Sequence, residues 1–110
     1  MAIAQISPSG FTIYTDPDVD RVGVAPVGEL DLATVDLVHD AVAHLRRTGI
    51  EHVVIDLSRV PFMDGQGLAM LLMLRNDARR CGHSLTLVPG PPQVQRVFFL
   101  TGTRRLFDWA

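Results

Sequence analysis

Two short segments hold the residues whose types and spacing could support chemistry. Residues 28–32 read Gly-Glu-Leu-Asp-Leu, and residues 61–67 read Pro-Phe-Met-Asp-Gly-Gln-Gly. Each follows a predicted strand and leads into a predicted helix, where free backbone amides and the helix dipole favour negative charge. Loops at the carboxyl ends of adjacent parallel strands converge on one sheet edge, so we expect the segments to be neighbours. Either Asp31 and Asp64 are only helix N-caps and the glycines only turn residues, or the segments form a binding surface.

Few catalytic mechanisms are compatible with this sequence. All ten basic side chains are arginines, and the absence of lysine excludes Schiff-base chemistry and a P-loop lysine. The sequence has no Gly-x-Ser-x-Gly elbow and no glycine-rich dinucleotide-binding loop. Asp56 ends a predicted strand, where a phosphorylated aspartate can lie, but the acidic pair and the lysine that this chemistry needs are absent. We therefore expect Asp56 to bond loop backbone amides, and we predict no catalytic residue.

The histidines and the cysteine show no metal-binding pattern. His39 and His44 are five residues apart, which places them on different faces of a helix. Cys81 is the single cysteine, so it has no partner for an internal disulfide or a paired metal site. We therefore expect no metal, no cofactor and a reducing, cytoplasmic setting.

The composition is typical of one globular domain. The chain has 110 residues, of which 47% are hydrophobic, and a net charge of −2, which fits a single domain over residues 1–110. This charge balance predicts neither a basic nucleic-acid-binding surface nor a polybasic membrane patch. The longest apolar run, residues 68–74, is too short to span a bilayer, and the first ten residues do not resemble a signal peptide. Nucleic acid and membrane are therefore not expected as partners.

Hydrophobic periodicity alternates between the strand pattern and the helix pattern along the chain. Strands are predicted over residues 11–14, 21–27, 52–57 and 84–88, the first two as a hairpin. One helix is predicted from the N-cap Asp31 to about residue 47, and a second over about residues 65–81 with Asp64 as its N-cap. A third is predicted after the proline-rich residues 89–92, with proline in its first turn. The order β-β-α-β-α-β-α predicts an α/β domain with a mostly parallel four-stranded sheet, one antiparallel N-terminal strand and helices mainly on one face. We expect the tail, with Leu106, Phe107 and Trp109, to dock on this domain.

The second predicted helix has an unusual composition. It opens with Gly65 and Gly67, each of which costs about 1 kcal/mol of helix propensity relative to alanine. It then runs through residues 68–74 with apolar side chains on every face, although a helix on one core needs only a stripe. Ala69 and Met73 therefore face away from the core. Either a neighbouring helix covers them, or they form an adaptable surface for a protein partner.

These segments, in this order, resemble the STAS domain family, which includes bacterial anti-sigma factor antagonists and sulfate-transporter modules. Residues 27–31 resemble the family motif after the second strand, and residues 53–58, followed by residues 62–64, resemble its third strand and phosphorylation loop. Further matching residues are Gly67, Leu68, Val94, Phe98, Thr101 and Gly102, so the resemblance extends over nearly the whole chain. It implies a STAS-like fold of the antagonist type, because the transporter modules follow membrane helices that this sequence does not show.

The resemblance also implies a regulatory site with one residue changed. In the family, an anti-sigma factor with serine kinase activity phosphorylates a serine directly after the loop aspartate, in the sequence Asp-Ser-Ser-Gly. Here the loop reads Asp64-Gly65-Gln66-Gly67, so Gly65 occupies the acceptor position and Gln66 has no hydroxyl. No serine, threonine or tyrosine lies between Val60 and Gly67. We predict that this phosphorylation switch cannot operate here.

The leading hypothesis is a non-catalytic protein-interaction module that binds an anti-sigma factor kinase and so releases a sigma factor. The residues expected to contact this partner are Glu29, Asp31, Met63, Asp64, Gly65, Gln66, Gly67, Ala69 and Met73. The alternative is a sensor module that binds a small anion, a nucleotide or a lipid head group at the two helix N-termini, within another signalling assembly. Self-association into a homodimer through the apolar side of the second helix is a further hypothesis.

Overall fold

A computed structural model describes residues 3–6, 11–17 and 21–110 of the chain. Within them, six strands form one sheet: β1 Ile3–Ile6, β2 Thr12–Pro17, β3 Val22–Val27, β4 His52–Asp56, β5 Ser84–Val88 and β6 Asp108–Trp109. The three α-helices are α1 Val35–Arg47, α2 Gly65–Cys81 and α3 Pro92–Thr101. A short 3-10 helix, Arg104–Leu106, precedes β6.

The strands lie in the sheet in their sequence order, β1-β2-β3-β4-β5-β6. The pairs β1–β2 and β2–β3 are antiparallel, and all later pairs are parallel. The predicted α/β class, the hairpin and the parallel central strands are confirmed. The predicted count of four strands is wrong, because β1 and β6 add an edge strand on each side. Both are short, and β6 pairs through only two residues, so neither produces a strong hydrophobic alternation in the sequence.

The helices pack on one face of the sheet, as predicted. Val24, Ile55 and Leu87 on the central strands are fully buried in the same core cluster as the inner faces of α1, α2 and α3. Their strand neighbours, among them Ala25 and Val54, point to the opposite face and are only partly buried. Side chains alternate in this way because successive strand residues point to opposite sides.

The start of α1 differs from the prediction. Asp31 is not its N-cap: the helix begins at Val35, and Thr34 is the preceding cap residue. Residues 31–34 form a turn in which Asp31 Oδ1 accepts a hydrogen bond from the Ala33 N–H at 3.0 Å. The Asp31 carboxylate therefore shapes the turn that leads into the helix instead of capping the helix itself.

The other helix boundaries agree with the prediction. Asp64 is the N-cap of α2, and Gly82 ends that helix in the left-handed conformation with φ of 73°. Left-handed glycine is the usual residue just after a helix, because it has no Cβ to clash. The third helix has proline in its first turn, where the missing N–H costs no hydrogen bond.

The C-terminal tail is docked through Phe107 and Trp109, as predicted, whereas Leu106 is wrongly predicted to dock, since it is 39% exposed. Phe107 is buried, and its ring meets that of Phe98 edge-to-face at 5.5 Å between centroids. Trp109 packs on the same Phe98 ring at 5.0 Å. The Ala110 N–H donates to the Leu87 carbonyl at 2.8 Å, which extends the parallel pairing of β6 to the end of the chain.

Candidate functional site

The two segments singled out in the sequence are neighbours, and backbone hydrogen bonds join them. The Leu30 N–H donates to the Phe62 carbonyl at 2.9 Å, and the Asp64 N–H donates to the Leu30 carbonyl at 3.3 Å. Leu30 and Met63 thereby form an isolated parallel bridge. The loop after β3 and the loop after β4 therefore form one continuous ledge beside the N-terminus of α2.

Gly67 permits the close approach between this ledge and α2. A Cβ on Gly67 would lie 2.5 Å from Met63 Cγ and 2.8 Å from the Leu30 carbonyl oxygen. Both distances are shorter than any normal contact, and one of the two atoms belongs to the backbone. Gly67 is therefore a packing residue that lets the first turn of α2 rest directly on the joined loops.

Asp64 fixes the first turn of α2. Its Oδ1 accepts hydrogen bonds from the Gln66 N–H at 2.9 Å and the Gly67 N–H at 3.1 Å. A carboxylate here satisfies orphan backbone donors and complements the positive end of the helix dipole. The predicted N-cap role of Asp64 is thereby confirmed.

Gly65 has an environment unlike that of Gly67. It is exposed, a Cβ placed on it would meet no atom within 4 Å, and its φ lies outside the left-handed region. Neither steric crowding nor backbone conformation requires glycine at this position. A serine would fit there without displacing any neighbour.

Several predicted contact residues form the exposed surface around Gly65. Glu29, Gln66 and Ala69 are exposed, and Met73 is 50% exposed one helical turn beyond Ala69. Within the described part of the chain, no neighbouring helix covers Ala69 and Met73. The hypothesis that these two residues face away from the core is confirmed.

Two large apolar residues of this surface were missing from the prediction. Leu32 is 72% exposed and Phe62 is 48% exposed, and they lie in the two joined loops. Their positions in the sequence, next to the predicted contact residues Asp31 and Met63, could have identified them. They were missed because an apolar residue in a loop is usually expected to pack into the core. We call the exposed residues Glu29, Leu32, Phe62, Gly65, Gln66, Ala69 and Met73 the docking face.

Met63 and Gly67 do not belong to the docking face, which corrects the prediction. The Met63 side chain is 1% exposed because it packs beneath the ledge against Leu30 and α2. Gly67 is buried for the same reason. Met63 and Gly67 therefore support the docking face from beneath. The carboxylates of Asp31 and Asp64 are part-buried and accept hydrogen bonds from backbone N–H groups.

Asp56 has the structural role expected of it. Its Oδ1 accepts a hydrogen bond from the Ser58 N–H at 2.9 Å, which stabilises the turn after β4. Ser58, the nearest hydroxyl before the loop, is exposed in that turn. The hydroxyl of Thr34 on the other loop is buried and donates to the Glu29 carbonyl at 2.7 Å.

The described residues bring together no cluster of three or more histidine, cysteine, aspartate or glutamate side chains with metal-binding geometry. In the same part of the chain, none of the helices combines the length and the apolar character needed to cross a bilayer.

The fold and this site define a class of protein: a small α/β domain that presents an exposed apolar and polar face where two parallel strands end. The chain belongs to the STAS domain family, whose model matches residues 11–109. The family resemblance seen in the sequence is confirmed.

Two curated relatives illustrate the similarity. The chain is 33% identical to osmosensory protein A of Mycobacterium tuberculosis over 72 residues. The matched segment covers 64% of this chain but only 44% of that protein. It is 27% identical over 79 residues to the anti-sigma-B factor antagonist of Staphylococcus epidermidis, covering 72% of this chain and 73% of the antagonist. The chain thus spans less than half the length of the first relative and most of the second.

Solved structures show the same fold. An anti-sigma factor antagonist from Mycobacterium paratuberculosis superposes with a TM-score of 0.81 at 24% identity, covering 96% of this chain and 89% of that one. The anti-sigma factor antagonist SpoIIAA of Bacillus, in its unphosphorylated form, superposes with a TM-score of 0.75 at 20% identity, covering 89% and 87%. Both likenesses extend over nearly the whole described domain.

Proposed function

We propose that this chain is a non-catalytic antagonist that binds an anti-sigma factor with kinase activity and so releases a sigma factor in the cytoplasm. One observation carries the proposal: backbone hydrogen bonds join the two loops into a ledge that presents exposed apolar side chains in a STAS domain. The name of the Staphylococcus relative, anti-sigma-B factor antagonist, supports the choice of partner.

The proposed contact surface is the docking face. Leu32, Phe62 and Met73 supply apolar area, since methionine and aromatic side chains are enriched in the buried centres of interfaces. Glu29 and Gln66 supply polar contacts at the rim. The ledge beneath them is held by backbone hydrogen bonds, so little conformational entropy is lost when a partner binds.

The proposal includes the loss of phosphorylation control. A phosphoserine carries about −1.5 to −2 charges at pH 7. At position 65 it would lie next to the Asp64 carboxylate, and the added charge would repel acidic groups on the partner. Gly65 has no hydroxyl to accept the phosphoryl group, so binding is expected to persist whether or not the kinase is active.

The binding part of this proposal is tested by calorimetric titration with purified anti-sigma factor kinases from the same genome. We expect saturable one-to-one binding to at least one of them. Leu32→Glu and Met73→Glu should each weaken that binding about 30-fold or more, because each places a charge in the apolar centre of the face.

Phe99→Glu is the matched control. Phe99 on α3 is 77% exposed and lies outside the docking face, so this substitution should leave the affinity unchanged. Light scattering of the chain alone, over a concentration series, separates partner binding from self-association through Ala69 and Met73. Absence of binding to every kinase of that genome would contradict the proposal, as would equal effects of the three substitutions.

A further inference from the structure

A concave site lies between α1 and α2, near the C-terminal ends of both helices and apart from the docking face. The cleft has a volume of about 490 Å³, within the size range of pockets that hold small organic molecules. The 17 residues of α2 place its last turn about 24 Å from Gly65, at a rise of about 1.5 Å per residue. None of the residues of the docking face lines this cleft.

The floor of the cleft is apolar. Val42 of α1 lines it together with Leu74 and Ala78 of α2, and all three belong to the hydrophobic core. The cleft therefore reaches between the helices down to core side chains. An apolar ligand group placed here would be shielded from water on several sides, which favours binding.

The wall of the cleft carries an excess of positive charge. Three arginines line it, Arg46, Arg47 and Arg80, against the single carboxylate of Asp77. Asp77 is already paired with Arg80. Arg47 is exposed, and within the described residues it has no ion-pair partner.

The partly buried guanidinium of Arg46 has N–H donors that make no hydrogen bond within the described part of the protein. Its Nη1 donates to the carbonyls of Ile50 at 3.3 Å and Glu51 at 2.5 Å, and its Nη2 donates to the carbonyl of Ser84 at 3.0 Å. These bonds use three of the five N–H groups of a guanidinium and leave two. Burial lowers the pKa of Arg46, because the charged form loses water around it, and the electrostatic interaction with Cys81 acts more weakly in the opposite direction.

Arginines in a last helical turn also complement the negative end of the helix dipole. The carbonyl bonds of Arg46 have a separate role, because they tie the end of α1 to the residues just before β4 and to the start of β5. The dipole role applies to Arg46 and Arg47 alike, but it does not account for the apolar opening beside them. Arg46 and Arg47 both line an apolar cleft, and this combination suits a ligand that has an anionic head and an apolar body.

We propose that the cleft binds a small organic anion, with its carboxylate or phosphate head at Arg46 and Arg47 and its apolar body against Val42, Leu74 and Ala78. This site is separate from the docking face, and it requires neither an anti-sigma factor nor a change at Gly65. A medium-chain fatty acid has the required chemistry and serves as the probe.

The test is a titration of isotope-labelled full chain with decanoate, below the micelle-forming concentration of this probe. Saturable amide shifts are expected at Val42, Ala43 and Ala78. Cys81 lines the same cleft and is the only cysteine of the chain, so its rate of alkylation by iodoacetamide reports occupancy. Saturating decanoate should slow that alkylation at least fivefold.

Controls separate the anionic head from the apolar body. Decyltrimethylammonium has the same chain length and the opposite charge, and it should bind at least tenfold more weakly. Arg47→Gln should weaken decanoate binding about tenfold, as expected for the loss of one charge-assisted contact. Ala43→Trp should fill the cleft and abolish binding, whereas Arg105→Gln, at an exposed arginine outside the cleft, should change nothing.

Three results would overturn the proposal: no saturable shift at the cleft residues, equal binding of the cationic and anionic probes, or unchanged binding in Arg47→Gln. Arg46 is left unsubstituted in this experiment because its carbonyl bonds hold the end of α1 against the segment before β4 and the start of β5. Folding of each variant is checked by its thermal unfolding transition.

Discussion

The two glycines at the start of α2 should respond in opposite directions to the same substitution. In Gly67→Ala the new methyl group would lie 2.5 Å from Met63 Cγ and 2.8 Å from the Leu30 carbonyl oxygen. Met63 is buried, so neither neighbour can yield without moving the ledge. Overpacking of this kind costs about 1–3 kcal/mol, and the gain of about 1 kcal/mol in helix propensity offsets only part of it.

Gly65→Ala is the matched control for that substitution. Its methyl group would meet no atom within 4 Å, so only the propensity gain of up to about 1 kcal/mol remains. The free energies of unfolding of the two variants should therefore differ by about 1–3 kcal/mol. For a domain of this size each kcal/mol corresponds to about 4–8 °C in Tm.

Thermal unfolding followed by circular dichroism measures the difference directly. We expect Gly65→Ala to melt at or above the Tm of the parent chain, and Gly67→Ala to melt several degrees below it. If the two variants shift in the same direction by the same amount, Gly67 is not a packing residue and the contact between the ledge and α2 is misjudged.

Two further predictions concern stability. Asp64→Ala removes the acceptor of two backbone hydrogen bonds, so chemical denaturation should show a loss of about 1 kcal/mol in the free energy of unfolding. Asp64→Asn should retain most of the stability of the parent chain, because asparagine is also a good N-cap. An unchanged denaturation midpoint in Asp64→Ala would contradict the capping role. Phe107→Ala empties a buried site against Phe98 and should cost about 3–5 kcal/mol, while Phe99→Ala, at an exposed position, should change stability by less than about 0.5 kcal/mol. Equal losses in these two phenylalanine variants would show that the tail does not pack on the core.

The central part of the fold was predictable because its elements are long and strongly periodic. The second helix has a side-chain cap at Asp64 and a glycine stop at Gly82, and the structure places both as predicted. The strands β4 and β5 alternate buried and half-buried residues along their length. Where local signals and tertiary packing agree in this way, the sequence alone is sufficient.

The edges of the sheet could not be predicted by the same reasoning. The strand β6 has two residues, and it forms because the docked ring of Trp109 brings the chain beside β5. The strand β1 has four residues and forms by pairing with β2. Such short strands depend on a neighbour already in place, so periodicity does not reveal them.

Within the site, the sequence identified the right segments but not which side chains face solvent. Met63 and Phe62 are adjacent apolar residues, yet one is buried and the other is half exposed. That difference is set by the bridge between Leu30 and Met63, a contact between residues 33 positions apart. The later start of α1 has a local cause instead, because the Thr34 hydroxyl donates to the Glu29 carbonyl only five residues earlier and residues 31–34 form a turn.

The central claim is that the docking face binds its partner without a phosphorylation switch at position 65. Its most direct test incubates the parent chain and Gly65→Ser with the anti-sigma factor kinase and ATP, then measures intact mass and affinity for the partner. We expect the parent to gain no phosphate and keep its affinity, whereas Gly65→Ser, which the open space at Gly65 accommodates, gains one phosphate and binds at least tenfold more weakly. A phosphate on the parent chain, at Ser58 or any other residue, that weakens its binding would contradict the claim.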